Sequence, residues 1–244
     1  MTGAASNNPF ALWVYLSQTP LLWLTVTLVI YAVTDAVSLR TRRHPLANPV
    51  LHAMWIVAAF LLLTGTPYTT YFAGAQFVHF LLGPATVALA VPLYQNRGIV
   101  LQAIVPMLAA LIVGSITAIV SVVLLAEAFG LPQDVVLSLA PKSVTASVAM
   151  GISESLHADP SLTAVAVVLT GIIGAVIVTP LMNSTGITDF RARGFAAGLA
   201  AHGIGTARAF QVDALAGTFS GIAMSLNALV TSFLVPIAIT LLVR

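Results

Sequence analysis

Long apolar runs, separated by only a few charged positions, make up most of this chain. Each run is long enough to cross about 30 Å of hydrocarbon as a helix, which rises about 1.5 Å per residue. The charge-free runs lie between Arg43 and Arg97, between Arg97 and Glu127, between Asp159 and Asp189, and between Asp213 and Arg244. The pattern therefore predicts an all-α, polytopic membrane protein.

The apolar runs divide into about seven to eight membrane segments of two kinds. We expect unbroken spans, the third of them kinked at Pro106, at Pro20–Leu39, Pro49–Leu63, Ile99–Ala126, Leu162–Met182 and Leu215–Val243. Glycine or proline interrupts the other three elements, which are Val78–Tyr94, Val135–Ile152 and Phe195–Phe210. A proline or glycine in such a run predicts a broken or re-entrant helix.

The interrupted elements resemble one another around the breaks that begin at Leu82, Leu139 and Leu199. Either the chain contains an internal repeat, inverted in the membrane, or short apolar segments look alike by chance. Transporters carry interrupted helices at corresponding positions of such repeats. We expect one integral membrane domain with N-terminal spans in residues 1–66 and broken-helix units in residues 67–130, 131–184 and 185–244.

Arginines suggest how the chain is oriented. Arg40, Arg42 and Arg43 follow the first span and should face the cytoplasm. If every interrupted element crosses, Arg191 and Arg193 fall outside the cell. If the element around residue 142 is re-entrant, they fall inside, and the positive-inside rule favours this layout.

Lys142 is the only lysine, and it lies in an apolar stretch without an acidic neighbour. A lysine at the centre of a membrane helix costs about 2.5–3.5 kcal/mol. Because proline suits the first helical position, we expect a half-helix to start at Pro141. Its free amides, with Lys142 and the hydroxyls of Ser143 and Thr145, would then form a site for a carboxylate.

The other two breaks carry further candidate binding residues. Pro84 and Thr86 predict a second half-helix of the same kind without the charge. In the third break, His202, Thr206 and Arg208 offer an imidazole, a hydroxyl and a guanidinium, and the guanidinium can hold a carboxylate through two hydrogen bonds.

Each of these candidate binding residues has an alternative interpretation, in which its role is structural. Lys142 can extend to the lipid headgroups, Arg208 can pair with Asp213, and His202 can bond a carbonyl freed by the break. Serine and threonine hydroxyls at breaks often bond only the local backbone. Gly171 and Gly174 are expected at close helix contacts.

Composition narrows the classes of function. The 244 residues are 59% hydrophobic and 7% charged, and they include no cysteine; soluble domains average about 25% charged residues. No motif for nucleotide binding, zinc hydrolysis or serine hydrolysis appears. We therefore expect no enzyme activity, no cofactor, no metal site and no nucleic-acid partner.

Three blocks of sequence resemble the LrgB/CidB family of membrane proteins. They are Leu82–Tyr94, Pro141–Thr145 and His202–Ala209, and the resemblance extends from about Asn48 to Pro236. It implies a multi-pass protein of the bacterial inner membrane that controls murein hydrolases and autolysis with a small, holin-like LrgA/CidA partner. Family members, including a plastid glycolate/glycerate translocator, are also associated with the transport of small monocarboxylates such as pyruvate and glycolate.

Two functions follow as hypotheses. The first is a transporter of small monocarboxylates, of the elevator type, whose substrate touches Pro84, Thr86, Lys142, Ser143, Thr145, His202, Thr206 and Arg208. The alternative is a holin- or antiholin-type regulator of murein hydrolase activity and cell lysis. Either one implies contact with the lipid bilayer and a LrgA/CidA-like partner, and a homo-oligomer is also compatible with both.

Overall fold

The computed structural model of the chain describes residues 19–88 and 90–242, without the side chains of His79, Leu82 and Thr86. Within these ranges the regular structure is helical, with no strand. The prediction of an all-α protein is therefore confirmed. The α-helices are α1 Pro20–Arg40, α2 Pro49–Thr64, α3 Tyr68–Phe80, α4 Leu82–Ala88, α5 Ala90–Gln95, α6 Arg97–Gln102, α7 Ile104–Ala128, α8 Gln133–Leu139, α9 Ala146–Ser155, α10 Pro160–Ser184, α11 Phe190–Val212 and α12 Ala214–Leu242.

Five stretches of the described chain are long and apolar enough to cross a membrane. They are Pro20–Arg40, Tyr68–Gln95, Ile104–Ala128, Pro160–Ser184 and Ala214–Leu242. Large apolar side chains on these helices are exposed, for example Val105 and Phe233. Such a surface suits lipid rather than water, so the chain is a multi-pass membrane protein.

The predicted unbroken span Ile99–Ala126 is wrong in one respect. The structure divides it at Ala103, where α6 ends and α7 begins. Pro106 explains the position of the division. It has no N–H for the carbonyl of Gln102, and its ring crowds that carbonyl.

The described chain forms two compact units, which divide after Ala88. In the first unit, α1 packs on α2 and α3 around the buried ring of Trp23, which makes edge contacts with Phe60 at 6.1 Å and Tyr71 at 6.0 Å. Gly74 permits a close approach between α3 and α1, because a Cβ atom there would lie 2.2 Å from the Pro20 carbonyl oxygen.

In the second unit, the directions of the long helices α7, α10 and α12 follow from their contacts. One core cluster joins Met107 of α7 to Phe219 of α12, and another joins Val123 of α7 to Val235 of α12. The second contact lies further along both helices than the first, so α7 and α12 run in the same direction. Helix α10 runs the opposite way, because Val167 packs near Val235 and Val178 packs near Ala216.

Glycines bring α11 against the backbone of α12. A Cβ atom on Gly194 would lie 2.0 Å from the Ala216 carbonyl oxygen, and one on Gly198 would lie 2.0 Å from the Ser220 carbonyl oxygen. Small residues at such contacts permit the close packing that stabilises helix pairs in a membrane. Gly203, on the same helix, is less confined, because a Cβ atom there would meet only the Met224 sulfur among the described residues, at 3.9 Å.

We expect Gly198→Ala to destabilise the protein by about 3 kcal/mol or to prevent folding, because the added methyl meets backbone that cannot move aside. Gly203→Ala is the matched control and should change stability by less than about 1 kcal/mol. Thermal unfolding of both variants in the same detergent measures the difference. Equal melting temperatures would contradict the close packing of α11 on α12.

Candidate functional site

The break around Lys142 is a non-helical segment between α8 and α9. Helix α8 ends at Leu139 and α9 begins at Ala146, with Thr145 as its N-cap. The predicted half-helix starting at Pro141 is therefore wrong, because the new helix starts five residues later. Physically, Pro141 sits in a turn, in which the amide of Lys142 donates to the Leu139 carbonyl at 3.2 Å and that of Val144 to Pro141 at 3.3 Å.

The later start of the helix changes which backbone amides are available as donors. The amides without intrahelical acceptors are those of the first turn of α9, which starts at Ala146. Thr145 does not cap them through its side chain. The N-terminal end of α9, rather than Pro141, therefore carries the free amides and the positive end of the helix dipole.

Lys142 lies in this segment and is partly buried. Its ammonium group makes no hydrogen bond or ion pair with any described residue. Ser143 beside it is buried, and its carbonyl oxygen accepts a hydrogen bond from Asn227. The break thus combines a cation that has no counter-charge among the described residues with a backbone that is held from another helix.

The break in the third element lies inside α11. Ala201 (φ −126°, ψ 16°) and His202 (φ 41°, ψ −131°) have non-helical torsions. Sequence reasoning placed the interruption at Gly203 and Gly205, but His202 takes the unusual conformation. A residue other than glycine with such backbone torsions costs about 1–3 kcal/mol, and the conformation persists only where the surrounding structure holds it.

A neighbouring helix holds His202 in place. Its Nε2 atom lies 3.0 Å from the carbonyl oxygen of Val167 on α10. The ring occupies the space that Gly171 leaves, because a Cβ atom there would lie 2.7 Å from the imidazole Cε1. His202 therefore bonds a carbonyl, as one alternative expected, but that carbonyl belongs to an intact helix rather than to the break.

The remaining residues of this element lie in two different surroundings. The hydroxyl of Thr206 donates to the carbonyl of His202 at 2.8 Å and lies 3.0 Å from the Ser220 hydroxyl. Arg208 is buried and lines a small pocket of about 20 Å³, together with Arg193 and Phe190. Lys142, Ser143 and Thr145 do not line this pocket.

The first break belongs to the other compact unit. Pro84 is the third residue of α4, and the amide of Ala85 donates to the Leu81 carbonyl at 2.9 Å. The side chain of Thr86 lies outside the described part of the structure. Their proposed contact with substrate remains a prediction.

Asn227 is a polar residue of the site that sequence reasoning missed. It is 1% exposed near the middle of α12, and its amide nitrogen donates to the carbonyls of Ser143 at 3.1 Å and Leu199 at 3.0 Å. Its amide oxygen accepts from Ser115 at 2.7 Å and Thr231 at 3.1 Å. The available signal was an asparagine in an apolar span, where polar residues usually face a partner.

A second buried polar cluster ties α8, α9 and α10 together. The Thr163 hydroxyl, which is fully buried, lies 2.9 Å from the Ser138 carbonyl oxygen and 2.8 Å from the Ser153 hydroxyl. The Ser138 hydroxyl in turn accepts from the amide of Asp159 at 3.0 Å. Residues on the two sides of the Lys142 break thus meet at one hydroxyl.

A cleft of about 630 Å³ lies in the second unit between α7 and the first half of α11. It is apolar along most of its length, with Phe195 and Phe219 in its walls, and polar at Gln102, Asp189 and Arg191. Hydrogen bonds from Arg191 lower the pKa of the Asp189 carboxyl. None of the predicted binding residues whose side chains the structure describes lines this cleft.

Comparisons with known proteins identify a family and several relatives of this chain. The model of the LrgB-like family matches residues 27–241. The Holin-like protein CidB of Staphylococcus epidermidis is 32% identical over 220 residues, 90% of this chain and 96% of that protein. CidB of Staphylococcus aureus is 32% identical over 91% of this chain and 96% of its own length. The uncharacterized protein YxaC of Bacillus subtilis is 36% identical over 81% and 86%. No solved structure matches the chain.

The contact between Gly171 and His202 generates a prediction about coupling. Gly171→Ala should destabilise the protein by about 1–3 kcal/mol, because the added methyl meets the imidazole and the tip of the Ile204 side chain. In a His202→Ala background the same substitution should cost at least about 1 kcal/mol less. Chemical unfolding of the two single variants and the double variant measures this coupling.

Gly151→Ala provides the control, since a Cβ atom there meets nothing within 4 Å. It should be neutral or slightly stabilising in both backgrounds. If the effects of Gly171→Ala and His202→Ala simply add, the imidazole does not depend on the space at Gly171.

Proposed function

The chain belongs to the LrgB-like family, and we propose that it acts as a holin-like protein of the bacterial inner membrane. In this role it controls murein hydrolase activity and cell lysis together with a small LrgA/CidA-like membrane protein. The observation that carries the proposal is similarity over nearly the whole chain to two proteins named holin-like. We propose no enzyme activity of its own.

The holin-like proposal predicts lysis behaviour that does not depend on Lys142. Expression with a small LrgA/CidA-like protein in a bacterium should change the rate of autolysis and the release of a large dye. Lys142→Met should retain this effect, because a lesion or a regulatory assembly needs no bound anion. Unchanged autolysis and dye retention at equal membrane abundance would contradict the proposal.

A second candidate function is the transport of small monocarboxylates such as pyruvate, glycolate or glycerate. The ammonium group of Lys142 favours it, since this partly buried cation has no counter-charge among the described residues. An ionisable residue at membrane depth ordinarily meets a partner or a wet cavity. Free amides at the start of α9 and the Thr145 hydroxyl offer further donors to a carboxylate.

Transport predicts a different outcome for the same substitution. In proteoliposomes, Lys142→Met should lower the uptake of labelled pyruvate or glycolate at least about tenfold, since a charged hydrogen bond contributes about 1.5–3 kcal/mol. Lys142→Arg keeps the charge and should retain part of the flux. Undiminished flux in Lys142→Met would remove Lys142 from the transport site.

For the architecture, we propose that two elements of the second unit are re-entrant hairpins. One consists of α8 and α9 (the first hairpin), and the other of the two halves of α11 (the second hairpin). A continuous helix would separate Ser138 from Ser153 by about 22 Å, yet both contact the Thr163 hydroxyl. In the second hairpin, a Cβ atom on Gly205 would lie 2.5 Å from the Ala197 carbonyl oxygen, where a straight helix separates these positions by about 12 Å.

The two hairpins then enter from opposite faces of the membrane. The first packs with Val123 and Val235, at the end where α7 and α12 finish. The second packs with Met107 and Phe219, at the end where they begin. Together with the crossing spans, the two hairpins give about eight membrane segments. Helix α7 with the first hairpin forms one unit, and α10 with the second hairpin forms another unit of inverted orientation. Transporters contain inverted units of this kind.

A further inference from the structure

Among the described polar residues of the spans, Asn227 stands apart because it bonds two interrupted segments at once. Its amide nitrogen carries two hydrogens, and each is directed at a backbone carbonyl, one of Ser143 and one of Leu199. Ser143 lies between α8 and α9, and Leu199 lies two residues before the first non-helical residue of the α11 break that continues at His202. These carbonyls therefore belong to the tips of the two hairpins.

The amide oxygen fixes the direction in which these donors point. It accepts hydrogen bonds from Ser115 on α7 and from Thr231, one turn further along α12. An asparagine side chain offers two donor hydrogens and an acceptor oxygen, and all of them are used here. Exchanging the oxygen and nitrogen would place the amide oxygen against two carbonyl oxygens, so the orientation is determined by its partners.

No other common side chain of this size can replace these contacts. Leucine offers no donor, and an ionised aspartate offers only acceptors, which would face the Ser143 and Leu199 carbonyls. In hydrocarbon the two carbonyls have no water to bond. The pairing is therefore specific to the amide as well as to its position.

We propose that Asn227 is a positioning residue that holds the tips of the two oppositely directed hairpins together. This places the Lys142 segment and the His202 segment against one point of α12, near mid-membrane. The inference rests on the re-entrant architecture given above, and it holds whether the protein controls lysis or carries an anion.

Membrane topology is tested first, in a chain that has no cysteine of its own. Single cysteines are introduced at Gln133 and Ala158, at the base of the first hairpin, and at Thr188 and Ala214, at the base of the second. A membrane-impermeant maleimide should label the first pair from one face and the second pair from the other. Labelling of the two positions of either pair from opposite faces would overturn the hairpins and the proposal with them.

Cross-linking then tests Asn227 itself. The tip pair Ser143→Cys with Leu199→Cys should react with a short, flexible bifunctional thiol reagent in the otherwise unchanged chain. Asn227→Asp should lower this yield at least fivefold, because the aspartate cannot donate to both carbonyls. Thr231→Val is the matched control, since it removes a bond to the amide oxygen and leaves both donors in place, and it should change the yield less than twofold.

Two other cysteine pairs separate loss of positioning from general unfolding. Ser153 and Thr163 have side-chain oxygens 2.8 Å apart, and Thr206 and Ser220 have theirs 3.0 Å apart. Cross-linking of these pairs should be unaffected by Asn227→Asp. If all three pairs lose yield together, Asn227 has only a general structural role and the proposal fails.

An unchanged cross-linking yield for the tip pair in Asn227→Asp would also overturn the proposal. So would a tip pair that does not react in the chain with Asn227 intact, if both control pairs react there. If Asn227→Asp does not accumulate in the membrane, Asn227→Ala is measured in the same way with the same expected loss. Failure of lysis control or of anion flux leaves these results unchanged, so the two sets of hypotheses are tested separately.

Discussion

A backbone group inside a bilayer finds no water, and this constraint determines how the second unit is built. Residues 140–145 and 201–202 are among the segments that leave regular helix geometry, and their polar groups must therefore bond to protein. At the first break, local turns satisfy two amides, while the Ser143 carbonyl bonds to Asn227. At the second, the Leu199 carbonyl bonds to the same amide and the His202 ring bonds to α10. The long helices thus stabilise the interruptions as well as spanning the membrane.

The same constraint explains which features the sequence predicts. Helix ends depend on local signals, so the start of α1 at Pro20 and of α2 at Pro49 agrees with the prediction, and each of these prolines suits a first helical turn. Breaks depend on tertiary partners. Before the start of α9 the Ser143 carbonyl is bonded from α12, and at the α11 break the His202 ring is bonded to α10. Pro141 and Gly203 mark the correct regions but not the residues that change direction.

Residue types alone do not show which of the candidate binding residues lie together. Lys142 and Arg208 both carry a positive charge in an apolar sequence, and both were assigned to one carboxylate site. Arg208 instead lines a small pocket with Arg193 and Phe190 near the start of α11, whereas Lys142 lies beside a carbonyl that is bonded to the middle of α12. The contact of both residues with one substrate therefore stays a prediction.

Packing density bears on the choice between the two functions. Lateral assembly of a holin-like protein calls for small residues on outward faces, where helices of separate copies can approach closely. Gly171, Gly174, Gly194 and Gly198 are occupied within the chain, by His202, Ala201 and the backbone of α12. These four glycines therefore pack inside the second unit, while large apolar side chains on the spans are exposed. A firmly packed set of long helices around two interrupted segments suits a scaffold that presents a site, and this favours keeping the transport hypothesis beside the holin-like function indicated by the relatives.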